Sequence, residues 1–371
     1  MKDVLVIGAG KIGAVVADLL THAPAATGGA YRVSVADRSA ESLRALAREA
    51  PRATPLQVDV ADAAALRAAM AGRFAVLSAA PFHLTVQVAE AARAAGVHYL
   101  DLTEDVASTR RIRQLADGAS TAFIPQCGLA PGFVSIVAAE LARGFDALDS
   151  MRLRVGALPA YPSNALNYNL TWSTEGVINE YIEPCEAVVD GRLSTVPALE
   201  EREEFALDGV QYEAFNTSGG LGTLAETLQG RVRTLNYRTI RYPGHAAIMK
   251  ALLHDLRLKD RRDVLKDILE SALPATMQDV VIVFVTASGT KDGRLLQDTW
   301  ARKVYSHALH GRLRSAIQIT TASSACAMVD LLAQGRLPHA GFVRQEDVAL
   351  ADFLGNRFGA VFASDEMARA A

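Results

Sequence analysis

The stretch Val4-Leu-Val-Ile-Gly8-Ala-Gly10-Lys11-Ile12-Gly13 constrains this chain more than any other. Four apolar residues read as a buried parallel strand, and three glycines at G-x-G-x-x-G spacing follow it directly. Gly8 permits the tight turn, Gly10 lets a pyrophosphate come against the backbone, and Gly13 lets the next helix pack close on the strand. That helix, over residues 12–20 with Lys11 and Ile12 at its mouth, turns free N–H groups and a positive dipole end toward the phosphates. The pattern predicts a dinucleotide site and, around it, a doubly wound parallel sheet.

Such a site needs an acidic residue closing the second strand, where it accepts hydrogen bonds from the adenosine ribose. Tyr31-Arg-Val-Ser-Val-Ala-Asp37 supplies it. Asp37 stands further along than usual, and the Pro/Gly/Ala-rich stretch Ala23 to Ala30 takes up the excess as a long loop. A carboxylate there repels a 2′-phosphate, which favours NAD. Arg38 beside it would hold that phosphate, and so admit NADP, if Asp37 turned away.

The 371 residues are 50% hydrophobic, enough for two domains with separate cores. A net charge of -3 gives no electrostatic case for a nucleic-acid or anionic-membrane partner. Cys127, Cys185 and Cys326 are too scattered for a disulfide framework or a zinc cluster, so no metal is expected and a reducing, cytoplasmic setting fits. No signal peptide is expected ahead of the first strand, and no apolar run is expected to reach membrane-spanning length.

The first third alternates strands and helices with short connections. A helix over Ala40 to Ala50 leads to a strand Thr54 to Val58 ending in Asp59, which either caps the next helix or touches the adenine edge. Phe74 to Ser78 ends at Ala79-Ala80-Pro81, small residues that leave room for the ribose and nicotinamide. Val97 to Asp101 is followed by Leu102-Thr103-Glu104-Asp105. Ligands of open α/β sheets bind beyond the carboxyl ends of strands, so Asp101, Thr103 and Glu104 are placed to face the crevice, with helix capping as the competing role. Thr121 to Pro125 runs into Gln126-Cys127-Gly128-Leu-Ala-Pro-Gly132 and a helix Phe133 to Arg143. Backbone at Gly128 is expected close to the nicotinamide, and Cys127 reads as a buried structural thiol.

These residues carry a resemblance. The glycine motif, the Asp-Leu-Thr-Glu strand end and Gly128-Leu-Ala-Pro-Gly132 resemble the saccharopine dehydrogenase-like superfamily. Tyr168-Asn-Leu-Thr-Trp172-Ser-Thr-Glu175 through Cys185, and Thr239-Ile-Arg-Tyr-Pro-Gly-His245, are similar to its lysine 6-dehydrogenase branch. The resemblance implies a nicotinamide-dependent oxidoreductase acting on a C–N bond of an amino acid or polyamine precursor, usually as a homodimer.

From Ser150 the periodicity changes to short alternating runs, with Met151-Arg-Leu-Arg-Val-Gly predicted to point its arginines outward. Asp190-Gly191 and Asp208-Gly209 read as two-residue hairpin turns. Residues 126–315 are therefore expected to form an inserted α+β substrate, catalytic and dimerisation domain with a mixed, mainly antiparallel sheet. Residues 1–125 and 316–371 make the dinucleotide-binding domain, to which helices over Ile317 to Ala333 and Glu346 to Phe362 return.

Three places in the inserted domain have chemistry to offer. Tyr168, Trp172 and Glu175 surround a helix start, as substrate contacts or as core. Thr217-Ser-Gly-Gly-Leu-Gly-Thr223 is a glycine-rich loop opening a helix, an anion site or a plain turn. Arg241 is suited to clamp a carboxylate, and His245 either caps a helix or shuttles a proton. Oxidising an amine requires its nitrogen lone pair, and an ammonium titrating near pH 10.4 must first lose a proton. His245 is the first choice of base, then Glu104 and Asp101.

Oxidative deamination of the lysine ε-amine is the leading expectation. The alternatives are a saccharopine- or carboxynorspermidine-type reductase joining an amine to a carbonyl, and a nicotinamide-binding sensor without turnover.

Overall fold

The computed structural model describes residues 1–22 and 30–363, so the loop expected over Ala23 to Ala30 lies outside them but for its last residue. The chain divides into two compact units, Met1–Ile136 with Thr320–Ala371, and Val137–Ile319.

In the first unit β1 (Lys2–Ile7), β2 (Tyr31–Asp37), β3 (Thr54–Gln57), β4 (Ala75–Ser78), β5 (His98–Asp101) and β6 (Ala122–Ile124) stand in the order β6-β5-β4-β1-β2-β3. All pair in parallel, and a short strand at Gly341–Phe342 extends the sheet beyond β6. The uninterrupted apolar run of β1 follows from its place at the centre of the sheet, where Val4, Leu5 and Val6 have no exposure.

Helices α1 (Lys11–His22), α2 (Ala40–Glu49), α3 (Ala63–Met70), α4 (Thr85–Ala95), α5 (Val106–Ala116) and α6 (Phe133–Arg143) follow the strands in turn. Ser39 caps α2 and Asp105 caps α5, each through a side-chain oxygen that accepts a first-turn amide. The cap of α3 is Asp62, which accepts from Ala64 and Ala65 N–H, rather than the expected Asp59. Asp59 is exposed and closes a turn by accepting from Ala61 N at 2.9 Å.

The C-terminal stretch read as one helix over Glu346 to Phe362 is broken into a 3₁₀ turn, a six-residue helix at Leu350–Gly355 and a second 3₁₀ turn. Asn356 ends the middle helix: its Oδ1 accepts from Phe358 N at 3.0 Å while its Nδ2 donates to Asp330 Oδ2 at 2.8 Å. Asp330 is fully buried and also accepts from Tyr31 Oη at 2.6 Å and Arg357 Nη2 at 2.7 Å. Phe133 stacks on Phe362 with ring centroids 3.9 Å apart.

The helix Ala316–Ala333 corrects one expectation. Its eighteen residues have a mean hydropathy of 1.3, long and apolar enough to cross a membrane, but 83% of them are buried inside the protein. An apolar core helix meets the same length and composition.

The second unit contains β7 (Ala147–Pro159), α7 (Thr174–Ile182), β8 (Cys185–Val189), β9 (Arg192–Val196), β10 (Glu203–Leu207), β11 (Val210–Asn216), α8 (Leu224–Leu228), β12 (Val232–Arg241), α9 (His245–Lys250), α10 (Arg262–Ala272), β13 (Asp279–Lys291) and β14 (Arg294–Tyr305). Its sheet runs β10-β11-β12-β7-β13-β14, with the β8–β9 hairpin joined to β12. β12 and β7 are parallel and the other neighbours antiparallel.

Both expected hairpin turns form. Asp190 and Gly191, and likewise Asp208 and Gly209, all have left-handed φ of +48° to +80°, the turn whose twist matches the flanking strands. One face of the sheet packs against helices through Tyr168, Tyr181, Phe215, Met249, Leu265 and Leu269. Of the β7 arginines expected to face water, Arg152 does so. Arg154 is buried, held by Glu203 Oε1 at 2.6 Å and by the Phe284 ring face at 4.9 Å.

Candidate functional site

β1 ends at Ile7, Gly8 turns the chain with φ of +102°, and α1 begins at Lys11. A Cβ on Gly8 would meet the Ala79 carbonyl oxygen at 2.8 Å, and one on Gly13 would meet the Gly8 oxygen at 1.9 Å. Nothing lies within 4 Å of where a Gly10 Cβ would stand. Two glycines are therefore consumed in closing the turn, and the third keeps open the space through which a phosphate reaches backbone N–H groups. These residues fit the phosphates of a dinucleotide. Lys11 is exposed beside the opening, Ile12 is half-buried, and Ala79 and Ala80 at the end of β4 are half-buried with Pro81 exposed.

Asp37 does not project freely. Its Oδ2 accepts from Ala9 N and its Oδ1 from Ser39 N, both at 2.8 Å, so the carboxylate braces the glycine turn against the start of α2. The neighbouring Arg38 is exposed and has no ion-pair partner among the described residues.

At the carboxyl end of β5 the expected acids differ in kind. Asp101 is 1% exposed; its Oδ1 accepts from Thr103 N at 3.0 Å and Gln126 N at 2.8 Å, and its Oδ2 from Tyr99 Oη at 2.8 Å. Burial pushes its pKa up to about 6 against those donors. Its oxygens thus tie the Gln126 loop to the sheet. Thr103 is buried and its Oγ1 accepts from Asp105 N at 3.1 Å. Glu104 is half-buried and its carboxyl has no hydrogen-bond partner among the described residues. Burial, then the Asp105 charge, raise it to about 7.

Cys127 is a structural thiol, donating to Ile124 O at 3.0 Å and raised by burial. Gly128 is buried and serves its own loop: a Cβ on Gly132 would fall 2.0 Å from the Gly128 oxygen, and that oxygen accepts from Phe133 N.

In the second unit the structure gathers Arg241, His245 and Tyr168, and adds Tyr181, which the sequence did not single out. Arg241 is 2% exposed at the end of β12. Its Nε donates to Tyr181 Oη at 2.9 Å, its Nη1 donates to Ile240 O at 2.9 Å, and its guanidinium lies 5.1 Å from the Tyr168 ring centre. Glu180 acts on it through space but, among the described residues, no carboxylate comes within ion-pair distance. Buried Arg154 and Arg238, by contrast, are ion-paired with Glu203 and Glu201.

His245 is buried, with Nδ1 2.8 Å from Leu166 O and Nε2 3.0 Å from Tyr181 Oη. Burial and the Arg241 charge push its pKa down to about 3. It is a neutral ring with both nitrogens engaged, the opposite of what a base requires.

Glu213, opposite Arg241 in the β11–β12 register, holds the turn between Arg241 and His245 by accepting from Ala246 N at 2.7 Å and Gly244 N at 3.1 Å. An acid in the middle of a strand reads as solvent-facing, so nothing in the sequence marks this role.

Other expected residues stand apart. Trp172 packs against Gly176, whose Cβ would meet the indole at 2.4 Å, and belongs to the helix-covered core. Glu175 is exposed and faces Lys266 at 3.7 Å. The Thr217–Thr223 loop is packed down, with Gly220 beneath the Tyr237 ring and Thr223 buried, and α8 after it has only five residues.

Residues 4–123 match the family model described as saccharopine dehydrogenase NADP binding domain, and residues 128–356 match saccharopine dehydrogenase C-terminal domain. The chain belongs to the saccharopine dehydrogenase family. Among curated members, saccharopine dehydrogenase (NADP(+), L-glutamate-forming) of Pyricularia oryzae is 24% identical over 301 residues, 78% of this chain and 65% of its own length. The enzyme of the same description from Saccharomyces cerevisiae is 26% identical over 271 residues, 70% of this chain and 59% of its own. The chain thus spans less than two thirds of these relatives.

The solved apo saccharopine dehydrogenase (L-Glu forming) from Saccharomyces cerevisiae superposes with a TM-score of 0.80 at 18% identity, covering 96% of this chain and 98% of that one. That likeness establishes the saccharopine dehydrogenase fold, a parallel dinucleotide-binding sheet followed by a mixed sheet.

Proposed function

We propose that this chain is an NADP-dependent oxidoreductase acting on the C–N bond of an amino acid. The observation that carries the substrate class is Arg241, a buried guanidinium with no carboxylate of its own. A buried cation without an anion is costly, and a carboxylate-bearing ligand supplies what is missing.

The nucleotide, when bound, supplies hydride chemistry at its nicotinamide ring. Gly8, Gly10, Gly13 and the first amides of α1 hold its phosphates. For NADP over NAD the support is the bracing of Asp37: both its oxygens are turned to amides, which leaves the exposed Arg38 as the charge nearest a 2′-phosphate. The family model for residues 4–123 bears the NADP description as well.

Within the first unit, Glu104 is the acid suited to take a proton. An amine must become neutral before it can release hydride, and a carboxyl raised to about 7 is half-ionised at neutral pH with no other partner to satisfy. Passing a proton to it from an ammonium near pH 10.4 costs about 4–5 kcal/mol, within reach of an enzyme barrier. Both His245 ring nitrogens are engaged, and the buried Asp101 carboxylate is committed to three donors that tie its loop to the sheet, so neither is placed for this.

Two substrates compete. Arg154 and Arg238 are spent on Glu203 and Glu201, so Arg241 offers recognition of one carboxylate, which suits lysine and its oxidation to a semialdehyde with loss of ammonia. The names of the relatives favour saccharopine, cleaved to glutamate and an aldehyde.

The test is the purified chain with NADP+ or NAD+ and either lysine or saccharopine, following nicotinamide absorbance together with ammonia or glutamate. Ammonia with lysine establishes the first reading, and glutamate with saccharopine the second. Reduction with neither, while NADP still binds, removes both and leaves a sensor.

A further inference from the structure

The position of Arg241 is dictated by Tyr181 and His245. Leu166 O is a carbonyl and only accepts, so His245 Nδ1, 2.8 Å away, carries the ring proton. With the ring neutral, Nε2 holds a bare lone pair, and the Tyr181 hydroxyl 3.0 Å from it donates. Its proton committed, Tyr181 Oη accepts from Arg241 Nε–H at 2.9 Å. Each link runs one way, since reversing any of them sets two donors or two acceptors face to face. At the far end Arg241 Nη1 is anchored on Ile240 O. Two of five guanidinium donors are so used, and Nη2 has no partner among the described residues. The Tyr168 hydroxyl, on a residue 3% exposed, is buried near Thr171 and Trp172 without a well-formed hydrogen bond.

We propose that Tyr181 and His245 are positioning residues: a one-way relay from Arg241 Nε through Tyr181 Oη to His245 Nε2 fixes the guanidinium so that its Nη2 side, with the Tyr168 hydroxyl, receives a carboxylate. The ligand class rests on the reading of Arg241 given above, whereas the relay does not depend on turnover. Neither residue touches the reacting carbon or moves a proton during reaction. They set the aim of the group that binds.

Two measurements on the full chain decide it, neither needing cofactor or catalysis. In a long-range ¹H–¹⁵N spectrum His245 is expected as the Nδ1–H tautomer, unchanged from about pH 5 to pH 8, where an ordinary histidine titrates. In calorimetric titration with glutarate as the probe, wild type binds. Tyr181→Phe and His245→Leu bind at least about tenfold more weakly, and His245→Gln, whose amide oxygen accepts in place of Nε2, restores most of the loss.

An Nε2–H tautomer, or a ring that titrates near its ordinary value, overturns the relay even if the variants fail to fold. Absence of glutarate binding to wild type, or a Tyr181→Phe protein that binds as wild type does, overturns the proposal. Absence of nicotinamide reduction with the tautomer and the binding order intact instead overturns the oxidoreductase reading alone.

Discussion

Replacing Glu104 by glutamine should make the protein more stable at pH 8 and less active. The carboxyl moves from an ordinary value of 4.5 to about 7 on folding. Between those values the folded chain keeps a proton that the unfolded chain has released, so stability falls as pH rises. The fall is about 1.4 kcal/mol per pH unit, or about 3 kcal/mol across the window, and complete above pH 7. Glutamine carries no charge to bury. Below about pH 4 wild-type Glu104 is protonated in both states, and Glu104→Gln should match it.

At pH 8 the variant should be the more stable by up to about 3 kcal/mol, a rise of about 6–12 °C in the melting temperature of a unit this size. Urea unfolding of both proteins at pH 4 and pH 8 isolates the effect, because every other titrating group is common to the pair. Parallel pH dependences would refute the reasoning: Glu104 would then be ordinarily solvated and no better a proton acceptor than a surface acid. If the reasoning holds, turnover of Glu104→Gln should fall by about 10²–10³-fold, and wild-type activity in the oxidative direction should rise with pH through 7.

Three more outcomes follow from the packing. Gly10→Ala should fold as wild type and lose nucleotide binding, since its Cβ meets nothing in the protein, whereas Gly13→Ala, with a contact at 1.9 Å, should lose stability as well; melting curves with and without NADP separate the two. Glu213→Ala strands the buried Ala246 amide at about 1–3 kcal/mol, the exposed Gly244 amide and the half-exposed Arg202 adding little, and urea titration of the second unit reads the loss. Asp330→Ala leaves Tyr31, Asn356 and Arg357 without their buried acceptor and should cost about 3–5 kcal/mol, seen as an earlier thermal transition of the first unit.

Much of the first unit was legible because most of its parallel strands, β3 apart, are short apolar runs, and the glycine turn has few structural alternatives. The Asp-Gly turns were legible for the same reason: two left-handed residues in a row are affordable to few sequences. What escaped were polar groups whose partners are distant in sequence. Arg154 sits in an alternating run that assigns it to solvent, and only Glu203, 49 residues later, lets it be buried. Tyr181 reads as one more core aromatic until Arg241, 60 residues on, is brought to its hydroxyl.

For His245 the sequence shows that a histidine is present but not that a neighbouring guanidinium and full burial keep it neutral. For Glu104 the sequence holds one cue, the adjacent Asp105 on a strand-end turn, but not the burial that raises it. The terminal helix was misplaced because Asn356, whose side chain stops it, is anchored by an aspartate 26 residues away.

The two hydrogen bonds that the Asp37 carboxylate accepts from Ala9 N and Ser39 N have a consequence for redesign. In sheets of this kind, exchanging the strand-end acid is the obvious way to change which nucleotide is accepted. Here the same carboxylate is a rivet through the glycine turn, so a neutral replacement would slacken the backbone that grips the pyrophosphate and weaken both nucleotides together. Selectivity should instead be adjustable at Arg38, whose exposed side chain nothing in the loop leans on. If Arg38 meets the 2′-phosphate as proposed, the part that holds is separate from the part that chooses.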